Sequence, residues 1–308
     1  MTENTSNLKD VYSRVTNKII ADLEKGELTW RKPWSSEHLA SNVVRPLRFN
    51  DEPYSGINVL MLWACAVENG YASPYWMTFR QAQEMKAHVR KGEKASQVVY
   101  ADKMIITEKN SSGEEESRNV PFLKSYSVFN ASQIEGLPED FYKVPEVKIL
   151  NSEKRIEMLE EFFRNTKADI FTGFKAAYSQ ATDRIEMPPF ESFIDASNYY
   201  ATLSHEVAHW TKHPTRLNRD FNRKKWGDEG YAKEELVAEL AACFLAADLG
   251  FEPVTRDEHA AYIQSWLKVL KNDSRYVFQA ASHAQKAVEY VTNLQTREYS
   301  QFQLKRGI

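Results

Sequence analysis

The stretch Tyr199-Tyr200-Ala201-Thr202-Leu203-Ser204-His205-Glu206-Val207-Ala208-His209-Trp210 decides how the second half of this chain reads. Two histidines four residues apart, with a glutamate directly after the first, offer two metal donors and a base if the segment is helical. Residues i and i+4 share a helix face, so His205 and His209 can aim imidazole nitrogens at one ion. Glu206 then stands beside that ion, where a carboxylate can take a proton from activated water and return it to a leaving amine. The flanks allow a helix: Thr202 or Ser204 can cap it, and nothing before Pro214 breaks it. Five letters with two free positions also recur by chance, and two ordinary helix histidines beside a solvated glutamate would look the same.

A second segment, Glu234-Glu235-Leu236-Val237-Ala238-Glu239-Leu240-Ala241-Ala242, adds weight to the metal reading. Catalytic zinc sites take three protein donors and keep one position open, and a glutamate from a second helix can supply the third. Glu235 is assigned that place, with Glu234 as the competitor that helical phase does not exclude. Glu239, one turn on, is expected to accept the outer N–H of a ligand histidine and fix its tautomer. Two imidazoles and one carboxylate suit Zn²⁺ best, with Mn²⁺ and Co²⁺ as alternatives. The longer metzincin pattern is excluded, because it wants Gly at 212 and His at 215 where the chain has Lys212 and Thr215. His213 would lie about 12 Å along the axis from His205, too far to share an ion, and is read as a surface residue at the helix end.

At 308 residues and 42% hydrophobic, the chain is long enough for two cores, so two domains are the default. A net charge of −3 exerts no global pull toward nucleic acid or membrane, and any such binding must rest on a local patch. Cys65 and Cys243 sit in apolar helical contexts and build no disulfide framework, which suits a reducing cytosol. The polar N-terminus has no apolar signal core, so a cytoplasmic location is expected. The longest apolar run, Ile57 to Val67, is too short to span a bilayer and reads as a buried helix.

Organisation follows from periodicity and punctuation. Apolar residues at helical spacing run from 9 to 25 and stop at Gly26; a helix follows at 57–68, and another after Tyr75-Trp76-Met77. A strand is expected from Gln97 toward Thr107, a polar, mobile hairpin tip over 108–119, a returning strand at 122–130 and a linker at 136–145. Beyond it come a helix from near Asn151, short strands around 169–171, 176–179 and 184–187, the metal helix, and helical sequence over 262–293. The fold class expected is α+β in two domains, 1–143 and 151–308, the second being the metal-binding one.

In the first domain, aromatic and basic residues are interleaved. Single-stranded DNA is held by cations along its phosphates and aromatic faces under its bases. Trp30, Trp34, Tyr54 and Trp76, with Arg31, Lys32, Arg45, Arg48, Arg90, Lys91 and Lys94, supply both ingredients. Asn58 can contact a phosphate or cap its helix. Aromatics near Gly and Pro are more often core anchors than stacking platforms.

Several blocks in order resemble the ArdC-type antirestriction proteins of conjugative plasmids, whose N-terminal domain also occurs in TraC-type plasmid primases. They are Pro53-Tyr54-Ser55-Gly56-Ile57-Asn58-Val59-Leu60, Tyr75-Trp76-Met77-Thr78-Phe79-Arg80-Gln81-Ala82, Val89-Arg90-Lys91-Gly92-Glu93-Lys94 and Ser127-Val128-Phe129-Asn130. The second half adds Ala177-Tyr178-Ser179, Asp183-Arg184-Ile185-Glu186-Met187-Pro188 and the metal helix running on to Arg216-Leu217-Asn218-Arg219. Lys86-Ala87-His88 departs from this likeness, standing where a small, Gly-rich turn is expected. The resemblance implies a single-stranded-DNA-binding N-terminal domain joined to a zincin-like metallopeptidase domain, shielding incoming plasmid DNA from host restriction. Two accounts follow. In one the chain is an active metallopeptidase placed on DNA. In the other it coats DNA and its metal only stabilises the fold. A housekeeping peptidase whose first domain binds protein is a third.

Overall fold

The computed structural model describes residues 2–35, 43–109, 115–143, 152–222, 228–253 and 259–295. The first half runs α1 (Thr2–Glu24), β1 (Leu47–Arg48), α2 (Ile57–Asn69), β2 (Tyr75–Met77), α3 (Phe79–Glu84), β3 (His88–Val89), β4 (Ser96–Lys109), β5 (Glu115–Asn130) and β6 (Ile134–Glu135). The second runs α4 (Ser152–Asn165), β7 (Asp169–Thr172), β8 (Ala177–Ser179), β9 (Arg184–Met187), α5 (Ala196–Trp210), α6 (Glu229–Leu249), α7 (His259–Asn272) and α8 (Tyr276–Asn293). This is the α+β layout the sequence implies. The proposed boundary falls at 144–151, outside the described residues.

A four-stranded sheet has the order β1-β2-β5-β4, and a three-stranded sheet the order β7-β9-β8. β4 and β5 form a ribbon whose paired arms reach Lys109 and Glu115, several residues past where the sequence places the polar tip. Backbone pairing needs no apolar pattern, so polar residues continue the ladder unnoticed by alternation. Residues 110–114 of the expected tip are outside the described residues. The edge of β4 at its base is closed by Asn58, whose side-chain amide donates to Val99 O and whose carbonyl accepts from Val99 N, both at 2.8 Å. Asn58 therefore does not cap α2, and its amide is committed to the strand edge. It stands in for one rung of a neighbouring strand.

α2 ends at Gly70, which takes the left-handed conformation that lets its N–H reach Ala66 O. α3 opens with a capping box between Thr78 and Gln81. Lys86 carries φ 59, so the turn expected to need glycine does adopt the left-handed backbone glycine favours, with a lysine in it.

The main apolar cluster is continuous across both halves. Ile19, Trp30, Leu60 and Trp63 pack into the same core as Leu236, Phe244, Trp266 and Val277. Trp30 meets Trp266 edge-on with ring centroids 5.7 Å apart, and Trp63 meets Phe244 at 6.1 Å. A smaller cluster gathers Met77, Ala82, Ala131 and Ile134 under β2 and α3. The two halves thus share their largest core, where composition allowed one each. Cys65 and Cys243 are free thiols, Cys243 buried. No described helix is long and apolar enough to cross a membrane.

Candidate metal centre

The metal helix starts earlier than Thr202 or Ser204 allow. Asp195 is the cap, accepting from Asn198 N, and both proposed caps lie inside α5. The helix also stops at Trp210, ahead of Pro214. Arg216 secures that end, its Nε donating to Trp210 O at 2.6 Å while its guanidinium lies 4.0 Å over the Trp210 ring. His213 bonds to Thr215 beyond the helix, away from the histidine pair.

Facing α5 is α6, capped by Asp228 and closed by left-handed Gly250. Its alanine-rich middle is buried on all sides, so Glu234, Glu235 and Glu239 are taken out of water. A buried carboxylate must be paired or hydrogen-bonded to be retained. Glu234 is clasped by Arg219, with Nε to Oε2 at 2.8 Å and Nη2 to Oε1 at 2.7 Å. Glu239 accepts from Arg31 Nε at 2.8 Å and from Trp30 Nε1 at 3.4 Å. Glu235 faces the two imidazoles instead, with Oε2 3.3 Å from His205 Nε2 and Oε1 3.4 Å from His209 Nε2.

The two Nε2 atoms are 3.1 Å apart, with the rings at 80°. His205, His209 and Glu235 are a group able to hold a metal ion. The spacing fits an ion well: donors about 2.0–2.1 Å from a tetrahedral centre sit about 3.3 Å from one another, and the three separations bracket that length. The donor set also fits, being two neutral-capable imidazoles and one carboxylate.

Outer contacts orient the ligands. Glu234 Oε1 lies 3.0 Å from His209 Nδ1, which commits Nε2 to the metal side. Sequence reading gave this orienting role to Glu239, but Glu239 Oε2 stands 3.9 Å from His205 Nδ1, beyond hydrogen-bond length. Burial favours neutral His209, yet Glu235 and Glu234 overcome it and push the imidazole up to about 9. Burial likewise works against Glu234 ionisation, and Arg219 outweighs it, holding the carboxyl down at about 2. Burial resists Glu235 ionisation too, and the histidines keep it well below the usual range.

Glu206 is buried and its Oε2 accepts from Tyr178 N on β8 at 2.9 Å. That strand is locked to the end of α5 by a clasp that sequence reasoning did not find. Tyr178 OH donates to Asp183 Oδ1 at 2.9 Å, and Arg216 donates to both Asp183 and the Tyr178 hydroxyl. The block Arg216-Leu217-Asn218-Arg219 was the available signal, since two arginines just past a metal helix imply buried carboxylates nearby.

The sequence-derived DNA set is largely interior, which corrects that surface. Trp30 and Trp76 are 0% and 1% exposed, and Tyr54 is buried too, so no base can reach their ring faces. Arg45 is buried against Asp248, Gln285 and the Phe244 ring, and Arg31 is committed to Glu239. Lys32 pairs with Asp22 and Glu27, Arg48 with Glu52 and Arg90 with Glu93. Arg48, Arg90, Lys91 and Lys94 are the exposed cations of the set. The Trp34 side chain is outside what the structure describes.

Comparisons with known proteins divide along the same halves. Residues 9–129 match the family described as the N-terminal domain of anti-restriction factor ArdC, and residues 157–283 match the family described as zincin-like metallopeptidase. The metal-free crystal structure of antirestriction ArdC protein from plasmid R388 is 46% identical with a TM-score of 0.76, covering 92% of this chain and 97% of that one. Its Mn(II)-bound structure gives 44% and 0.74 over the same shares. The uncharacterized protein y4eC of Sinorhizobium fredii (strain NBRC 101917 / NGR234) is 38% identical over 288 residues, covering 92% of this chain and 91% of the relative. A DNA primase TraC of Escherichia coli is 34% identical over 319 residues, covering 97% of this chain, which spans 29% of that primase.

Proposed function

Given that the chain belongs to the ArdC antirestriction family, we propose that its first half binds single-stranded DNA and its second half is a metallopeptidase, together protecting incoming plasmid DNA from restriction. The observation that carries the enzymatic part is the division of labour on α6. Two of its three buried glutamates are neutralised by arginines, and Glu235 is left to the imidazole pair.

His205, His209 and Glu235 would hold the ion, Zn²⁺ or another divalent metal. A bound ion supplies Lewis acidity, activating water and polarising a carbonyl oxygen. Glu206 is the proton carrier: its carboxylate takes a proton from the attacking water and returns it to the leaving nitrogen. The Tyr178 N–H orients that carboxylate from the strand side. A purely structural site has no use for Glu206 and would more naturally close with a fourth protein ligand.

Burial of His205, Glu206, His209 and Glu235 favours a second reading, in which DNA is coated and the metal only braces α5 against α6. Glu206→Gln separates the two. It keeps the volume and the metal ligands while removing the base. Loss of both polypeptide cleavage and DNA protection, with metal content unchanged, supports the enzyme. Full protection by a folded, metal-loaded Glu206→Gln protein would reject it.

A further inference from the structure

The β4–β5 ribbon presents the aromatic faces that the interior tryptophans do not. Tyr100 and Tyr126 are 48% and 45% exposed, against 0% and 1% for Trp30 and Trp76. In the ribbon register Val98 faces Tyr126 and Tyr100 faces Lys124. Side chains of facing residues share one side of the ribbon, so Tyr100, Lys124 and Tyr126 stand together. The tyrosines are diagonal neighbours with Cα atoms about 7–8 Å apart. Val98 and Val128, on the same side nearer the sheet, are buried and anchor the base of this face.

Cations lie along the approach. The turn bearing Arg90, Lys91 and Lys94 leads directly into β4, and Lys94 precedes its first residue by two positions. Gln133 Nε2 fixes that turn, donating to Glu93 Oε2 and Lys94 O, each at 3.0 Å. Lys91 and Lys94 are exposed. From Lys94 to Val98, opposite Tyr126, is about 13 Å of extended chain, a length that several nucleotides can follow.

We propose that this ribbon face is the docking surface for single-stranded DNA, bases stacking on Tyr126 and Tyr100 and phosphates following Lys124, Lys94 and Lys91. The proposal rests on the reading that the chain binds single-stranded DNA and says where. The chemistry favours nucleic acid over a protein partner. On their side of the ribbon both rings stand beside the exposed Lys124, where the core of a protein interface would be contiguous apolar surface poor in charge. Stacking is indifferent to base identity, so the surface would accept any sequence.

The test is fluorescence anisotropy of a labelled oligothymidylate with the full chain across a salt series. Each tyrosine-to-alanine change is expected to weaken binding roughly tenfold, and Tyr100→Phe with Tyr126→Phe to leave it within about twofold. Lys91→Ala, Lys94→Ala and Lys124→Ala should each lower the salt slope by about 0.7. Affinity unchanged in the folded double alanine variant would overturn the ribbon while leaving DNA binding itself in place. An equal loss in the phenylalanine pair would overturn stacking. Should the double alanine variant melt early, Lys124→Glu carries the test, with lost affinity expected and unchanged affinity overturning the site. No binding by the parent chain would end both the location and the reading beneath it.

Discussion

Glu234 Oε1 stands 3.0 Å from His209 Nδ1, on the opposite side of the ring from Glu235. Two adjacent residues of one helix therefore do different work on one histidine: Glu235 faces its metal-side nitrogen and Glu234 sets which nitrogen that is. Glu234→Gln should keep the metal but weaken its binding about 10- to 100-fold, the usual cost of losing an orienting carboxylate. Glu235→Ala should abolish stoichiometric binding. Metal titration of both proteins decides the order, and a Glu235→Ala protein that loads metal normally would reverse the assignment.

Metal uptake should be coupled to proton release. With His209 pushed up to about 9, the metal-free site holds a proton at neutral pH that a ligand imidazole must lose. The raised value means this proton stabilises the metal-free fold fully below about pH 6.5, a contribution lost as pH rises through 9. Metal affinity moves the other way, climbing about tenfold per pH unit toward pH 9 and flattening above it. Calorimetry at pH 7 in buffers of different ionisation enthalpy should show close to one proton released per metal bound, and none near pH 10.

Arg219 is fully committed inside the fold. It clasps Glu234 and also donates to Thr211 Oγ1 at 3.2 Å and Ala208 O at 2.9 Å. Arg219→Met would strip Glu234 of its two-pronged partner and leave it His209 and, at 4.0 Å, Lys212, at a cost of up to about 3–5 kcal/mol to the metal-free protein. Arg219→Met with Glu234→Met removes both charges and should recover much of that. Chemical denaturation of the parent and the two variants checks the sign: a double variant no more stable than Arg219→Met would show that the loss does not come from leaving Glu234 uncompensated, and no loss in Arg219→Met would show the pair to be energetically idle.

The metal site was legible because its chemistry imposes spacing: His205, Glu206 and His209 are fixed by helix geometry, and a glutamate of the second helix by the need for one more donor, although sequence left Glu234 competing with Glu235 and only the fold turns Glu234 toward Arg219. Its supports were not. Nothing in sequence says that Arg219 folds back onto Glu234, or that Tyr178 offers its N–H to Glu206, because such contacts are set by how α5, α6 and β8 meet. The N-terminal half shows the opposite failure. Trp30 and Trp76 have the composition of a stacking platform, and composition does not distinguish a ring facing solvent from one filling a core. Tyr100 and Tyr126 sit in strands the sequence does reveal, but alternation alone does not say which side of a paired ribbon the fold leaves exposed.

Lys86 holds a positive φ that side chains other than glycine adopt only at a cost of roughly 1–2 kcal/mol. Its side chain is exposed, so Lys86→Gly removes that strain and little else. Offset by glycine's larger unfolded-state freedom, the gain should come to roughly 0.5–1 kcal/mol. A thermal melt of the variant should lie above the parent, and a lower melting temperature would show that the lysine makes a compensating contact.

The first half reaches the metal through Glu239. Arg31 and Trp30, from the segment after α1, both donate to Glu239 Oε1, and Glu239 Oε2 is the oxygen that stands 3.9 Å from His205 Nδ1. Arg31 thus holds in place an anion that favours the ring orientation needed for Nε2 to face the ion. At that distance the effect should be weaker than that of Glu234, so Arg31→Met is expected to lower metal affinity by up to about tenfold although it removes no ligand. Glu239→Gln should do the same, and the two together no more than either alone, because they break one chain of contacts. Additive losses would mean that Arg31 and Glu239 act on the site separately. Unchanged affinity in Arg31→Met would mean that the shared core joins the halves mechanically, with no electrostatic path from the N-terminal segment to the metal.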